Sequence, residues 1–273
     1  MKVSKRFVDR ARKNLRRYQK AFESARSRDV GESDTCVIIS DFLADVLGYD
    51  KYGDITTEFA IRSTFCDLAI KTNGRLQFLI EVKSVGTDLK DNHARQATDY
   101  AANQGVDWVL LTNGAQWRAY KLRFEKPIQA DEVFSIDLLS PDVKPNQLLA
   151  KLYLISKEAG GGSAMESYYQ QQEAKSRYVL AQLLLSEPLL TSMRRELKRL
   201  FPGVRATTIE LAELLRTEIL KRDALEGERA LAAEKAVRKG TRRRLREKAA
   251  SEVTAAADQP PTRAAAPASI APK

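Results

Sequence analysis

The sequence predicts an α/β fold, a mixed sheet flanked by helices, followed by a mostly helical C-terminal region. Three observations carry this expectation. Apolar residues recur at helical spacing through residues 4–47. Short segments rich in Ile, Val, Phe and Thr, parted by turn residues, occupy 55–122. After Pro145 the pattern is helical almost throughout.

Residues 4–27 hold few breakers and many Arg and Lys, with Phe7, Leu15, Tyr18 and Phe22 at helical separations, so a basic amphipathic helix is expected there. Gly31 ends that region. A second helix is expected over 32–47, burying Val37, Ile38, Phe42, Val46 and Leu47 and closed by Gly48. The period then changes. Segments 55–61, 64–71 and 76–83 read as an antiparallel meander. A helix over 89–103 leads to strands at 108–114 and 116–122, joined at the Asn113-Gly114 hairpin signal. The element order is α-β-β-β-α-β-β.

A helix over 145–158 runs into Ala159-Gly160-Gly161-Gly162-Ser163, flexible by composition. Helices over 165–186, 188–200 and 207–238 follow, punctuated by Pro188 and by Pro202-Gly203. These patterns divide the chain into a basic N-terminal helix (1–28), an α/β domain (29–145), a helical region (146–250) and an Ala/Pro-rich tail (251–273) expected to be disordered, having little to bury.

The net charge of +10 is segregated. Residues 1–28 carry net +9 and residues 216–273 net +6, which leaves the middle acidic. Clustered carboxylates suit a metal site and clustered Lys and Arg suit a phosphate backbone, although basic helices can also be merely solvated faces. No apolar run approaches the roughly 20 residues that cross a bilayer, and the N-terminus lacks the apolar centre of a signal peptide, so a cytoplasmic protein with no membrane partner is expected. Cys36 and Cys66 lack CxxC spacing and sit among apolar residues, which reads as two buried free thiols. His93 is the single histidine, which excludes His-cluster zinc sites and Ser-His-Asp catalysis.

The candidate chemistry lies in TFCDLAIKTNGRLQFLIEVKS, residues 64–84. Strand alternation gives Cys66, Leu68 and Ile70 one face and Phe78, Ile80 and Val82 another, and both sets must meet one core. Even positions must therefore oppose even positions, which requires an odd-length loop around Asn73-Gly74. Asp67, Glu81 and Lys83 then converge on the opposite face. Two carboxylates this close repel unless a divalent cation bridges them, and oxygen donors suit Mg²⁺ or Mn²⁺. A lysine beside the ion can hold a phosphate oxygen or orient the attacking water. The bland alternative is a surface hairpin with a Glu-Lys pair facing solvent.

These residues resemble the N-terminal nuclease domain of type I restriction enzyme R subunits, a branch of the PD-(D/E)XK nucleases. The resemblance runs over residues 30–140. Its matching pieces are Glu32 opening the first helix, LGYD at 47–50, TEFAIR at 57–62, Asp67, the Glu81-Val82-Lys83 triplet, Gln96-x-x-x-Tyr100 and LLTNGAQW at 110–117. It implies a restriction-endonuclease-like core, metal binding by Asp67 and Glu81, and catalysis by Lys83. It also implies that Glu32 completes the metal shell and that Gln96 and Tyr100 act near the scissile DNA. Cys66 stands where the motif's name has proline. R subunits also carry an ATP-driven translocase, whereas this chain has no G-x-x-x-x-G-K-[ST] loop and so no ATP site is expected.

The resulting expectation is a Mg²⁺-dependent DNA endonuclease, the alternative being a DNA-binding or partner-docking module that keeps the nuclease fold without cleavage. The helical C-terminal region is left to grip DNA, to form a homo-oligomer or to dock another subunit. Glu58 reads either as a carboxylate supporting the metal site or as a strand-edge charge. Trp108 and Trp117 read as sheet-packing aromatics. The Arg242-Arg243-Arg244 cluster reads as phosphate contacts or a solvated tail.

Overall fold

A computed structural model describes residues 3–61, 64–124 and 127–257. Two compact units make up the chain, Met1–Gln170 and Gln171–Lys273. None of the helices among the described residues is long and apolar enough to cross a membrane.

The first unit is built on a six-stranded mixed sheet in the order β1-β2-β3-β4-β5-β6. The strands are β1 (Ile55–Ile61), β2 (Thr64–Thr72), β3 (Arg75–Val82), β4 (Trp108–Thr112), β5 (Gln116–Arg123) and β6 (Gln129–Asp137). Neighbours are antiparallel except β3 and β4, which run parallel because α3 (Asp91–Gln104) carries the chain back across the sheet. On one face Leu68, Ile70, Phe78, Ile80 and Leu110 pack in a single core with α1 (Lys5–Ser27), α2 (Glu32–Asp45) and α4 (Pro145–Leu154). The other face carries α3, whose Ala94, Ala97 and Ala101 lie against Ala69, Leu79, Val109 and Leu111. β4 is buried along its whole length, as a central strand covered on both sides must be.

β6 is the strand that sequence patterning does not reveal. In QADEVFSID only Phe134 and Ile136 are buried, because β6 lies at the sheet's edge and needs few apolar side chains. The parity expected of the β2–β3 hairpin holds, since Leu68 pairs with Ile80 and Ile70 with Phe78, but the means differ. Thr72 pairs with Arg75 across a two-residue turn in which Asn73 and Gly74 have φ of 52° and 73°, and a bulge between Ile70 and Lys71 shifts the register by the one residue needed.

α1 is an integral part of this unit: Phe7, Ala11, Tyr18, Phe22 and Ala25 form its buried stripe. Arg10 donates to Glu158 (Nη2 to Oε2, 2.7 Å) and to the Val46 carbonyl at 3.1 Å, fastening α1 to the turns after α2 and α4. On α2 the buried stripe is Thr35, Ile39, Ser40, Phe42 and Leu43, whereas Val37, expected inside, is 58% exposed. Trp117 is buried against Phe42 with ring centroids 5.5 Å apart, and Trp108 is buried as well, both as sheet-packing aromatics.

The glycine run expected to be a flexible linker is a tight turn within this unit. Gly161 has a φ of 54°, and a Cβ there would fall 2.3 Å from the Gln77 side-chain oxygen.

The second unit is helical. α6 (Arg177–Leu184), α7 (Glu187–Leu200) and α8 (Thr208–Leu214) are followed by α9 (Glu228–Ala257), with a small core of Leu190, Leu211 and Leu215. The continuous helix expected over 165–186 is broken after α5 (Ser163–Ala174), where Ser176 accepts the Val179 N–H and starts a new helix. The span 207–238 is broken too, by a wide turn at Leu215–Ile219 and by Gly227 ahead of α9. α9 runs to Ala257, so helix reaches into the segment expected to be a disordered tail; residues 258–273 lie outside the described residues, as does Arg62 of the TEFAIR motif.

Candidate metal centre

The site forms where β2 and β3 part. Their last backbone pair is Leu68 with Ile80. Beyond it, the Val82 N–H that would continue the ladder donates instead to Asp67 Oδ2, at 2.7 Å. The Cys66 thiol sits 3.3 Å from the Ile80 carbonyl and 3.5 Å from that of Leu68. Side chains thus take the hydrogen bonds that a neighbouring backbone has given up.

The divergence also breaks the alternation expected for β2. Cys66 packs in the α3-side core while Leu68 packs in the opposite one, so these two do not share a face. The distortion has a counterpart across the strand pair. Glu58, between the paired residues Thr57 and Phe59 of β1, has a left-handed φ of 47°, and the regular pairing skips Glu58 and Asp67. The Glu58 side chain is exposed and lines one cleft together with Asp67.

Glu81 is 2% exposed, and its Oε1 accepts a hydrogen bond from Lys83 Nζ at 2.8 Å. From the first turn of α2, Glu32 brings Oε2 to 3.7 Å of the same ammonium. Asp67, Glu81, Lys83 and Glu32 therefore stand in one electrostatic cluster. Burial raises the Asp67 carboxyl above its ordinary value; the Val82 N–H opposes this, and the Glu32 charge adds to it. Burial raises Glu81 likewise, with the Lys83 hydrogen bond pulling back and Asp67 pushing on. Burial works against the charge on Lys83, but Glu81, Glu32 and Asp67 outweigh it and leave the ammonium more firmly protonated than a free lysine.

A cleft of about 340 Å³ opens beside Asp67, lined among others by Glu32, Cys36, Val37, Ser40 and Glu58. Cys36 and Val37 are not among the expected site residues, although the spacing of Cys36 from Glu32, one helical turn on, carries that information. Burial pushes both thiols up to about 12, helped at Cys36 by Asp67 and at Cys66 by Glu81, so each stays protonated. Neither is poised as a thiolate ligand.

α3 covers the sheet face to which Ala69 and Leu79 belong, and on it Gln96 Nε2 donates to the Tyr100 hydroxyl at 3.1 Å. His93, three residues before Gln96, is held below its ordinary pKa by partial burial and then by the charges of Lys83 and Lys90. The first turn of α3 is therefore within electrostatic reach of Lys83, and the His93–Gln96–Tyr100 stripe starts at that end.

Among the described residues, no three His, Cys, Asp or Glu side chains are grouped closely enough to hold a metal ion by themselves. The donor chemistry nevertheless fits a hard cation. Asp67 keeps Oδ1 and Glu81 keeps Oε2 outside the hydrogen bonds above, and Mg²⁺ is commonly held by one or two carboxylates, with water and substrate phosphate supplying the rest.

Residues 38–136 match the family of the type I restriction enzyme R protein N terminus. The matched segment begins inside α2 and ends in β6, so it holds Asp67, Glu81, Lys83, Gln96 and Tyr100. Glu32 and all of α1 precede it. Neither a curated protein nor a solved structure matches the chain.

Proposed function

We propose that this protein is a metal-dependent DNA endonuclease of the PD-(D/E)XK kind, with Asp67 and Glu81 as the direct ligands of Mg²⁺ or Mn²⁺. The observation that carries this reading is the meeting of Asp67, Glu81 and Lys83 where β2 and β3 diverge, inside a segment that matches a restriction-enzyme domain. A bound Mg²⁺ would supply Lewis-acid charge against the negative charge that develops on the phosphate.

The chain's own groups do the rest. The Val82 N–H pins one Asp67 oxygen and so aims the other away from the ladder. Glu81 holds the Lys83 ammonium, which in this reading donates to a non-bridging phosphate oxygen and orients the attacking water. Water forms the new P–O bond and gives up a proton to solvent, the ester P–O bond breaks, and the departing oxygen takes up a proton from solvent. Glu32 shares the Lys83 charge and would complete the shell of a bound ion. Gln96 and Tyr100 present an amide and a hydroxyl to the DNA backbone beside the site.

The test is incubation of the purified protein with supercoiled circular DNA. Mg²⁺-dependent nicking or linearisation that stops with EDTA supports the reading. DNA binding without any cleavage in Mg²⁺ or Mn²⁺ overturns it in favour of a non-catalytic DNA-binding module.

A further inference from the structure

The segment that matches the restriction-enzyme family leaves α1 unexplained, yet α1 is the most basic element of the unit that carries the site. Its cations from Lys5 to Lys20 divide into two groups. Arg10 and Arg17 are spent on the fold, paired with Glu158 and Asp45. Lys5, Arg6, Arg12, Lys13, Arg16 and Lys20 are all exposed, and among the described residues none of the six makes a close ion pair, although Arg6 lies within electrostatic reach of Glu158. They recur at separations of three, four and seven residues, which places them on one side of the helix, opposite the stripe of Phe7, Ala11, Tyr18 and Phe22. Asp9 is the one carboxylate among them. From Lys5 to Lys20 this ridge is about 22 Å long at the rise of an α-helix.

We propose that the solvent face of α1 is a docking surface for the phosphate backbone of duplex DNA. The inference rests on the nuclease reading for its choice of nucleic acid and adds to it where the substrate is held. Exposed cations lined up at this density complement a polymer carrying one negative charge per roughly 1.7 Å of axis. The ridge also leads toward the site. Arg26, near the end of α1, lines a cleft with Val85, Gly86, Thr87 and Asp88, the loop that follows Lys83, and Glu32 opens the next helix. A lipid surface fits less well. An amphipathic helix binds a bilayer through its apolar side, and here that side is the unit's own core, with Phe7 and Phe22 fully buried.

The experiment measures binding of the full chain to a fluorescent duplex by anisotropy, in EDTA so that no cutting intervenes, across a range of salt. In a K13Q/R16Q/K20Q variant the slope of log affinity against log salt should become shallower by roughly 3, at about 0.9 per phosphate contact, and affinity near 0.1 M salt should fall on the order of a hundredfold. A second variant, K5Q/R6Q/R12Q, should show a comparable loss, which guards against one of the two failing to fold. An unchanged slope in both variants overturns the proposal, and so does transfer of the whole effect to R242Q/R243Q/R244Q. Binding to phosphatidylserine vesicles that is lost in the K13Q/R16Q/K20Q variant while duplex affinity stays intact also overturns it. Failure of the nuclease reading looks different: the wild type would bind duplex with a steep salt slope that the variants flatten, yet never cut in Mg²⁺.

Discussion

Asp67 Oδ2 accepts the backbone N–H of Val82 at 2.7 Å, so a candidate catalytic carboxylate also serves as a rung of the β2–β3 ladder. Its two oxygens therefore have separate duties, one structural and one free for chemistry.

That division makes Asp67→Asn an informative variant. Asparagine keeps an acceptor for Val82 and loses the charge, so the fold should persist while cleavage falls by about a thousandfold or more. Glu81→Gln and Lys83→Ala should do the same, measured as initial rates of plasmid nicking beside circular dichroism of each variant. Wild-type rates in all three would remove this site from the chemistry.

The raised carboxyl groups tie stability to pH. Asp67 and Glu81 titrate above their unfolded-state values, so the native state holds their protons more tightly than the unfolded chain does. Their contribution favours the fold at low pH and is lost as pH rises through the raised values. Above that window both are charged against the cost of burial, and Glu81→Gln removes one of the charges. In EDTA at neutral pH the E81Q variant should melt higher than wild type, with the gap closing as the solution is acidified. A lower Tm for E81Q at neutral pH would contradict this account.

Divalent cation should separate the wild type from a variant stripped of both carboxylates. Ligand at about a hundred times its Kd stabilises a native state by roughly 2.7 kcal/mol, so saturating Mg²⁺ should raise the wild-type Tm by several degrees. The Tm of an Asp67→Asn/Glu81→Gln double variant should not move. Calorimetric scans with and without Mg²⁺ decide the matter, and equal shifts in both would place the ion elsewhere.

Gly161 offers a test of the fold alone. Its φ is 54°, and a methyl group added there would meet the Gln77 oxygen at 2.3 Å, so Gly161→Ala must adopt a left-handed backbone and push Gln77 aside. We expect a loss of about 1–2 kcal/mol in urea unfolding, with catalytic rates per folded molecule unchanged. A neutral substitution would show that the glycine turn is loose in solution.

Much of this architecture can be read from residue patterns, and the misses have physical causes. The β2–β3 hairpin, the α3 helix and the α1 stripe follow from apolar periodicity, because each buries apolar side chains at regular spacing. β6 escapes such a reading, since an edge strand with two buried side chains has almost no pattern to show. Helical periodicity puts Val37 inside, yet it stands on the side of α2 that borders the cleft. Strict alternation puts Cys66 with Leu68, and it fails where Glu58 turns left-handed across from Asp67. Local sequence around Asp67 carries no sign of a backbone distortion in the neighbouring strand. The proximity of Asp67 to Glu81 is legible as parity, while the contact of Glu32 with Lys83 needs the packing of α2 on the sheet.

Glu58 has one more effect, away from chemistry. Among the described residues β1 is an outermost strand, and an outermost strand offers amide and carbonyl groups on one side to any extended chain that comes by. A left-handed residue in its middle turns those groups out of line and puts a charged side chain at the bend. The rim of the sheet is thereby made a poor template for a strand from another molecule. The left-handed residue opposite Asp67 thus also disfavours strand-to-strand association along this edge.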